Sequence, residues 1–165
     1  AEKHFGEHVN LFVFVTDLFD WTIVAEDTII EALGLTFKSY EVTTEDGYIN
    51  TIWNVYDSNT QPLRKANGEK ETVFMQHGLI DIGGTWLFND QTRSPAVQMA
   101  KKGYDIWIGN NRGTANSHKH VTLTDKDKAY WNFSFNEMGK FDVPAHVGFI
   151  LNQTGVTNIT YIGHS

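Results

Sequence analysis

The chain has 165 residues, of which 41% are hydrophobic and 20% charged, and its formal net charge is −7. This length and composition predict one globular domain and exclude a disordered chain. The acidic balance, with no basic stripe along the sequence, argues against nucleic acid as a partner.

Two further classes are excluded by what the sequence lacks. With no cysteine, the chain forms no disulfide and no cysteine-ligated zinc site, and it offers no thiol nucleophile. No stretch approaches the roughly 18 consecutive apolar residues that a transmembrane helix needs. The most hydrophobic run, 9–24, is interrupted by Asp17 and Asp20 and lacks a cationic flank, so we do not interpret it as a signal peptide.

The first predicted elements are a helix and a hairpin. Residues 25–34 have apolar side chains at helical spacing and end on Gly34, which favours a short helix. Two strand-like runs follow, at 38–44 and 48–57, and an Asp-Gly step at 46–47 separates them. Because Asp-Gly suits a tight turn, the two runs predict an antiparallel hairpin.

After a polar loop, the pattern changes to alternating buried strands and helices. The strands are predicted at 72–78, 104–110 and 158–165, and the helices at 94–103 and 142–155. A hairpin followed by strand–helix–strand–helix–strand predicts the α/β class. The expected mixed sheet is antiparallel at its start and parallel afterwards, with right-handed crossovers.

Both of these helices carry end signals. Ser94 and Asp142 are predicted N-caps, because each side chain precedes a proline in the first turn. Gly103 and Gly155 are predicted to end the same helices in a left-handed conformation.

Polar and glycine-rich sequences follow all three later strands. They are His77-Gly78-Leu79, the loop 109–113 and Gly163-His164-Ser165. In an open α/β sheet, reactive groups gather at the carboxyl ends of the strands. The three loops are therefore predicted to meet at one candidate active site.

Ser165 is the candidate nucleophile. Gly163-His164-Ser165 follows a strand and matches half of the G-x-S-x-G nucleophile elbow, in which Gly163 avoids crowding the helix behind the turn. The alternative interpretation is an ordinary turn, since Gly-x-Ser is a common tripeptide.

The loop after the first buried strand is the candidate oxyanion loop. Gly78 allows the backbone to turn and to aim the Leu79 N–H into the site. His77 is interpreted as a hydrogen-bonded structural histidine. His164 is a poor candidate for the general base, because neighbouring side chains diverge at a sharp elbow.

The remaining polar features favour structural roles. Arg112 is predicted to brace loops through charge-assisted hydrogen bonds. The histidines at 118 and 120 are interpreted as a solvated loop, so no metal site is predicted. Glu137 has no partner that suggests acid/base catalysis. Three N-x-S/T sequons, the possible glycosylation sites, begin at Asn132, Asn152 and Asn158.

With these residues in place, the chain resembles the acid lipase family, the gastric and lysosomal lipases of the α/β-hydrolase fold. The resemblance covers roughly residues 22–165. Its blocks are "YEVTTEDGYI" (40–49), "VFMQHGL" (73–79), "GYDIWIGNNRGT" (103–114), "YWNFSFNEMGKFDVPAHVGFIL" (130–151) and "YIGHS" (161–165).

The resemblance implies hydrolysis of neutral lipid esters, triacylglycerols or sterol esters, by a Ser-His-Asp mechanism without a cofactor. Ser165 would be the nucleophile and the Leu79 N–H one oxyanion donor. In the family, the residue after the nucleophile gives the second donor, and a cap contacts the lipid–water interface. A secreted or lysosomal location is also implied.

The family's Asp, His, cap and C-terminal strands find no match, so we expect 25–165 to be an incomplete α/β-hydrolase core after an N-terminal segment, 1–24, of undefined structure. The 165 residues alone would be inactive and would need the remainder of the polypeptide or a companion chain. Two alternatives stay open: a non-catalytic lipase-derived fragment with a structural or binding role, and a generic esterase or thioesterase.

Overall fold

The computed structural model describes residues 23–87 and 92–165. Apart from its last two residues, the N-terminal segment predicted for 1–24 lies outside the described residues. In the two described ranges, no helix combines the length and the apolar character that a membrane span requires.

Every predicted helix and strand is present in the predicted order, and a two-residue strand at 119–120 and a short helix at 135–137 were not predicted. The helices are α1 (Ile23–Ala32), α2 (Pro95–Lys101), α3 (Phe135–Glu137) and α4 (Val143–Thr154). The strands are β1 (Thr36–Thr43), β2 (Tyr48–Tyr56), β3 (Thr72–Gln76), β4 (Asp105–Gly109), β5 (Lys119–His120) and β6 (Thr160–Gly163).

The predicted hairpin is confirmed. Strands β1 and β2 pair antiparallel from Thr36 opposite Tyr56 to Thr43 opposite Ile49. Gly47 has a φ of +96°, a backbone conformation that glycine adopts without steric cost. The Asp-Gly step therefore fixes the register of the first two strands.

Within the described residues, the strands form one sheet in the order β1-β2-β4-β3-β6, with β5 added beside β2. Strand β2 is antiparallel to β1 and β4, whereas β3 is parallel to both β4 and β6. The mixed sheet predicted from the sequence is confirmed. Its parallel half carries the loops that end at the candidate site.

The two faces of the sheet bury alternate side chains of the same strands. Val73, Met75, Ile106 and Ile108 pack in one cluster against α1 and α2. Their neighbours Phe74 and Trp107 point to the other face, where α4 supplies Ile150. Burial on both faces explains why these strands read as continuous apolar runs.

The end signals of α2 are confirmed. The Ser94 hydroxyl accepts a hydrogen bond from the Val97 N–H at 3.4 Å, and Pro95 occupies the first turn. Gly103, which follows the helix, has a φ of +94°. At the end of α4, Gly155 is likewise left-handed, with a φ of +69°.

The prediction that Asp142 caps α4 is wrong. Its side chain makes no capping bond, because a π-helical turn (Met138–Asp142) runs directly into the helix and the Val143 N–H already donates to the Met138 carbonyl. The buried Asp142 carboxylate instead accepts hydrogen bonds from the backbone N–H and Nε of Arg112, at 3.0 and 2.9 Å. A charged guanidinium is the stronger donor for a buried carboxylate.

Candidate active site

The three polar loops meet at one edge of the sheet, as predicted. Gln76, the last residue of β3, is in register with Gly109 at the end of β4 and Gly163 at the end of β6. The His164 N–H donates to the Gln76 carbonyl at 3.0 Å. Parallel pairing therefore brings the loops that begin at His77, Asn110 and His164 side by side.

Ser165 lies two residues after the end of β6, in a strained backbone conformation. It is exposed, and its φ of +55° falls in the left-handed region that non-glycine residues seldom adopt. A methyl group placed on Gly78 would lie 3.0 Å from the Ser165 Cβ. Glycine at 78 thus allows the candidate oxyanion loop to approach the turn that carries Ser165 (residues 163–165, the serine turn).

Gly163 also lies in a crowded place. A methyl group there would lie 2.9 Å from Cε1 of Tyr161 and 3.1 Å from its hydroxyl. Residues two apart on a strand face the same side of the sheet. Among the described residues, the Tyr161 ring is therefore what crowds a side chain at 163.

The candidate oxyanion loop presents apolar side chains to solvent. Leu79 is 57% exposed and Ile80 is 99% exposed, and Ile80 has a φ of +60°. Asp81 stabilises the next turn, where its carboxylate accepts hydrogen bonds from the Ile82 N–H at 2.8 Å and from the Thr85 hydroxyl. The same carboxylate lies 3.7 Å from Nδ1 of His164, which links this loop to the serine turn.

His77 is a hydrogen-bonded structural histidine, as interpreted from the sequence. It is buried, with Nδ1 2.8 Å from the Gly78 carbonyl oxygen and Nε2 accepting the Asn111 N–H at 3.1 Å. Burial lowers the pKa of His77, and the Gly78 carbonyl and the charges of Asp81 and Asp142 oppose that shift only in part. Asn111 was not singled out in the sequence, because its contribution is a backbone N–H.

Arg112 braces three segments, which confirms its predicted role. Its guanidinium forms a bidentate pair with Asp46 of the β1–β2 turn at 2.6 and 2.8 Å, and its Nη2 lies 2.8 Å from Oδ1 of Asp142. The Tyr48 ring covers it, with the ring centroid 3.8 Å from Cζ. Burial alone would lower the pKa of Arg112, but the hydrogen bonds to the two carboxylates raise it above its ordinary value.

An open groove of about 650 Å³ is lined by the loops that follow β3 and β4. Its apolar walls combine the oxyanion loop with the aromatic segment before α3; they include Leu79, Ile80, Ile82, Trp131, Phe133 and Met138. Trp131 is 47% exposed. Concave apolar surface next to a few convergent polar groups is typical of a small-molecule site.

His146 is a buried histidine that the sequence did not single out. It lies in α4, fully buried, with its ring packed edge-on against Phe74 at a centroid distance of 5.8 Å. Neither ring nitrogen has a hydrogen-bond partner among the described residues. Burial, helped by the nearby His77, lowers the pKa of His146 to about 3.

This burial predicts an acid-sensitive fold. Because the folded-state pKa lies below the unfolded value of about 6.5, stability should fall as the pH drops from that value toward 3, by roughly 1 kcal/mol per pH unit. In urea unfolding between pH 6 and 4, His146→Gln should reduce the pH slope by that amount. The exposed His118→Gln is the control, and equal slopes for His146→Gln and wild type would contradict the prediction.

The other candidate residues lie at the surface. Glu137 forms a capping box with Ser134, and these hydrogen bonds lower its pKa to about 2. Asn132, Asn152 and Asn158, which begin the sequons, are exposed. Within 23–87 and 92–165, no group of three His, Cys, Asp or Glu side chains is arranged to hold a metal ion.

Comparison with known families gives two matches. Residues 27–90 match the partial alpha/beta-hydrolase lipase region, and residues 71–165 match the alpha/beta hydrolase fold. Together the two matches cover the described sheet and the candidate active site.

Curated relatives are similar over most of this chain. Lipase member K of Homo sapiens is 42% identical over 137 residues, which are 83% of this chain and 34% of the relative. The human lysosomal acid lipase/cholesteryl ester hydrolase is 40% identical over 83% of this chain and 34% of the relative. Gastric triacylglycerol lipase of Rattus norvegicus is 40% identical over 80% of this chain and 33% of the relative. The chain thus spans about a third of the length of these relatives.

Solved structures share the fold at low sequence identity. The Pyrococcus furiosus esterase Pf2001 has a TM-score of 0.50 and 20% identity, over 81% of this chain and 41% of that one. The hypothetical protein PA2218 from Pseudomonas aeruginosa has a TM-score of 0.51 and 14% identity, over 79% and 35% of the respective chains. With its sheet order and these matches, the chain belongs to the α/β-hydrolase fold family and, within it, resembles the acid lipases.

Proposed function

We propose that the chain provides the nucleophile and the oxyanion loop of a lipid ester hydrolase. The observation that carries the proposal is the position of Ser165, strained at a φ of +55°, two residues after the end of β6 and next to Gly78. Strained backbone concentrates at functional sites, and a nucleophile elbow holds its serine in such a turn. The relatives named as lipases support ester hydrolysis.

The reaction that this site supports proceeds through an acyl-enzyme. The Ser165 Oγ attacks the ester carbonyl carbon while a general base takes the hydroxyl proton, and the Leu79 N–H stabilises the resulting oxyanion. The proton then passes to the leaving alcohol as the ester C–O bond breaks. Water attacks the acyl group next, which releases the fatty acid and restores the serine. No step requires a cofactor.

The general base and the acid that orients it are proposed to come from other polypeptide. Among the described residues, His77 already uses both ring nitrogens and His146 is enclosed in the core. We infer that the triad His and Asp, the cap and the remaining strands belong to further residues of the same protein or to a companion chain. The 165 residues alone would then be inactive.

The groove supports a long acyl chain as the ligand beside Ser165. Many of its lining side chains are apolar, among them the exposed Leu79 and Ile80, and Gly78, which borders Ser165, also lines it. Neutral lipid esters, triacylglycerols or sterol esters, are therefore the proposed substrates, met at a lipid–water interface. A secreted or lysosomal location, with glycans on Asn132, Asn152 and Asn158, fits the named relatives and the exposure of these residues.

The substrate class is tested with the protein at its full natural length. It should release fatty acid from emulsified triolein or cholesteryl oleate much faster than from a short-chain soluble ester or an acyl thioester. The apolar groove is the physical reason, since each buried methylene contributes about 0.8 kcal/mol. A preference for the soluble ester or the thioester would favour a generic esterase, and absence of all hydrolysis would favour a non-catalytic role.

A further inference from the structure

The peptide unit between Gly78 and Leu79 is held by a histidine whose protonation state the geometry fixes. The Asn111 backbone N–H points at Nε2 of His77 from 3.1 Å. A backbone amide can only donate, so Nε2 must be an unprotonated acceptor. In a neutral imidazole the proton then sits on Nδ1, which donates to the Gly78 carbonyl oxygen at 2.8 Å.

That hydrogen bond also determines where the Leu79 N–H points. The described residues contain no cis peptide bond, and in a trans peptide the carbonyl and the following N–H project in opposite directions. With the Gly78 carbonyl turned toward His77, the Leu79 N–H is turned away from it. The same glycine borders Ser165, 3.0 Å from its Cβ when a methyl group is placed on Gly78.

We propose that His77, as the neutral Nδ1–H tautomer, is a positioning residue that sets the oxyanion donor, and that protonation of His77 breaks its link to Asn111. The inference rests on the proposed function, because it concerns the Leu79 N–H as that donor. A proton added at Nε2 would face the Asn111 N–H, donor against donor. The bond between the two loops would be lost, whereas Nδ1–H would keep its hydrogen bond to the Gly78 carbonyl.

Charged and titratable groups surround His77 on each neighbouring element. Asp81 lies on its own loop, Arg112 on the loop after β4, Asp142 on the π-helical turn, and His146 on α4. The serine turn adds His164.

Burial outweighs the two carboxylates and lowers the pKa of His77. The neutral form is therefore complete above the ordinary value of about 6.5 and is lost only as the pH falls through the lower folded-state pKa. The bond to Asn111 should therefore persist below the pH at which an ordinary histidine protonates.

Two variants of the full-length enzyme separate the two hydrogen bonds of His77. In His77→Asn, the amide NH₂ takes the place of Nδ1 and can still donate to Gly78. In His77→Gln, the amide oxygen takes the place of Nε2 and can still accept from Asn111. Losing one oxyanion donor costs about 10² to 10³ in kcat. We expect that loss for the glutamine variant, with KM within a few-fold, and less than a tenfold loss for the asparagine variant.

The pH profile provides a readout that a merely structural histidine would not move. Wild type should lose less than tenfold in kcat at low pH, because protonation removes only the Asn111 bond. His77→Asn should lack this acid step, because asparagine does not titrate. Equal losses of kcat in both variants, or an acid step unchanged in His77→Asn, would overturn the proposal.

If either variant fails to fold, ¹⁵N chemical shifts of the wild-type imidazole decide the question, and an Nε2–H tautomer would overturn the proposal. The Ser165→Ala variant separates a failure of the proposed function from a failure of the inference about His77. Full activity in that variant would remove the proposed function, whereas the tautomer of His77 is measured independently of it.

Discussion

Replacing Ser165 with alanine is expected to lower kcat for lipid ester hydrolysis by about 10⁴ to 10⁶-fold. The hydroxyl is the only part of the side chain that forms the acyl bond, so neither the groove nor the oxyanion loop can replace it. Because the exposed residue makes no hydrogen bond with its side chain among the described contacts, the melting temperature should stay close to that of wild type.

The measurement is fatty acid release at saturating substrate by the full-length protein, with Ser58→Ala as the matched control. Ser58 is also exposed, in the loop after β2, far along the chain from the three strand-end loops. The Ser58→Ala variant should keep wild-type activity. Retention of more than about a hundredth of kcat in Ser165→Ala would show that another group performs the attack.

Replacing Arg112 with alanine is expected to destabilise the fold by about 3 to 5 kcal/mol. The change removes the bidentate pair with Asp46 and leaves the fully buried carboxylate of Asp142 without its cationic partner. It also removes the guanidinium that stacks on the Tyr48 ring. An uncompensated buried charge is among the costliest defects that a single substitution creates.

Urea unfolding measures this effect, and two further variants assign its cause. Arg64→Ala removes an exposed arginine that donates only to the Gly68 carbonyl in the described contacts, and it should cost less than about 0.5 kcal/mol. Adding Asp142→Asn to Arg112→Ala should restore part of the lost stability, because no charge is then left buried. A double variant less stable than Arg112→Ala alone would contradict the explanation by a buried charge.

Local patterns were sufficient for most of the fold. Apolar runs bounded by turn residues predicted β2, β3 and β4, and glycines with a positive φ ended helices where expected, as at Gly103 and Gly155. The meeting of the three loops followed from a general property of parallel strands, whose carboxyl ends share one edge. These features depend on neighbours in sequence or on topology alone.

The features that sequence reasoning missed depend on distant partners. Asp142 precedes a proline at the start of a helix and therefore resembles a cap, yet its partner Arg112 lies 30 residues earlier. His77 accepts from a backbone N–H at Asn111, and a backbone donor leaves no signature in residue types. His146 stands in an amphipathic helix, where only the packing of Phe74 reveals that it is buried.

Covalent labelling tests most directly whether Ser165 is the nucleophile. A long-chain alkyl fluorophosphonate reacts with an activated serine, whose oxygen bonds to phosphorus while fluoride leaves and the base takes the proton. After reaction of the native full-length protein, peptide mass spectrometry should find one phosphonyl group on Ser165. A sample that is denatured before the reagent is added should carry none. An unlabelled Ser165 in an actively hydrolysing sample, or a label on a different serine, would contradict the proposed function.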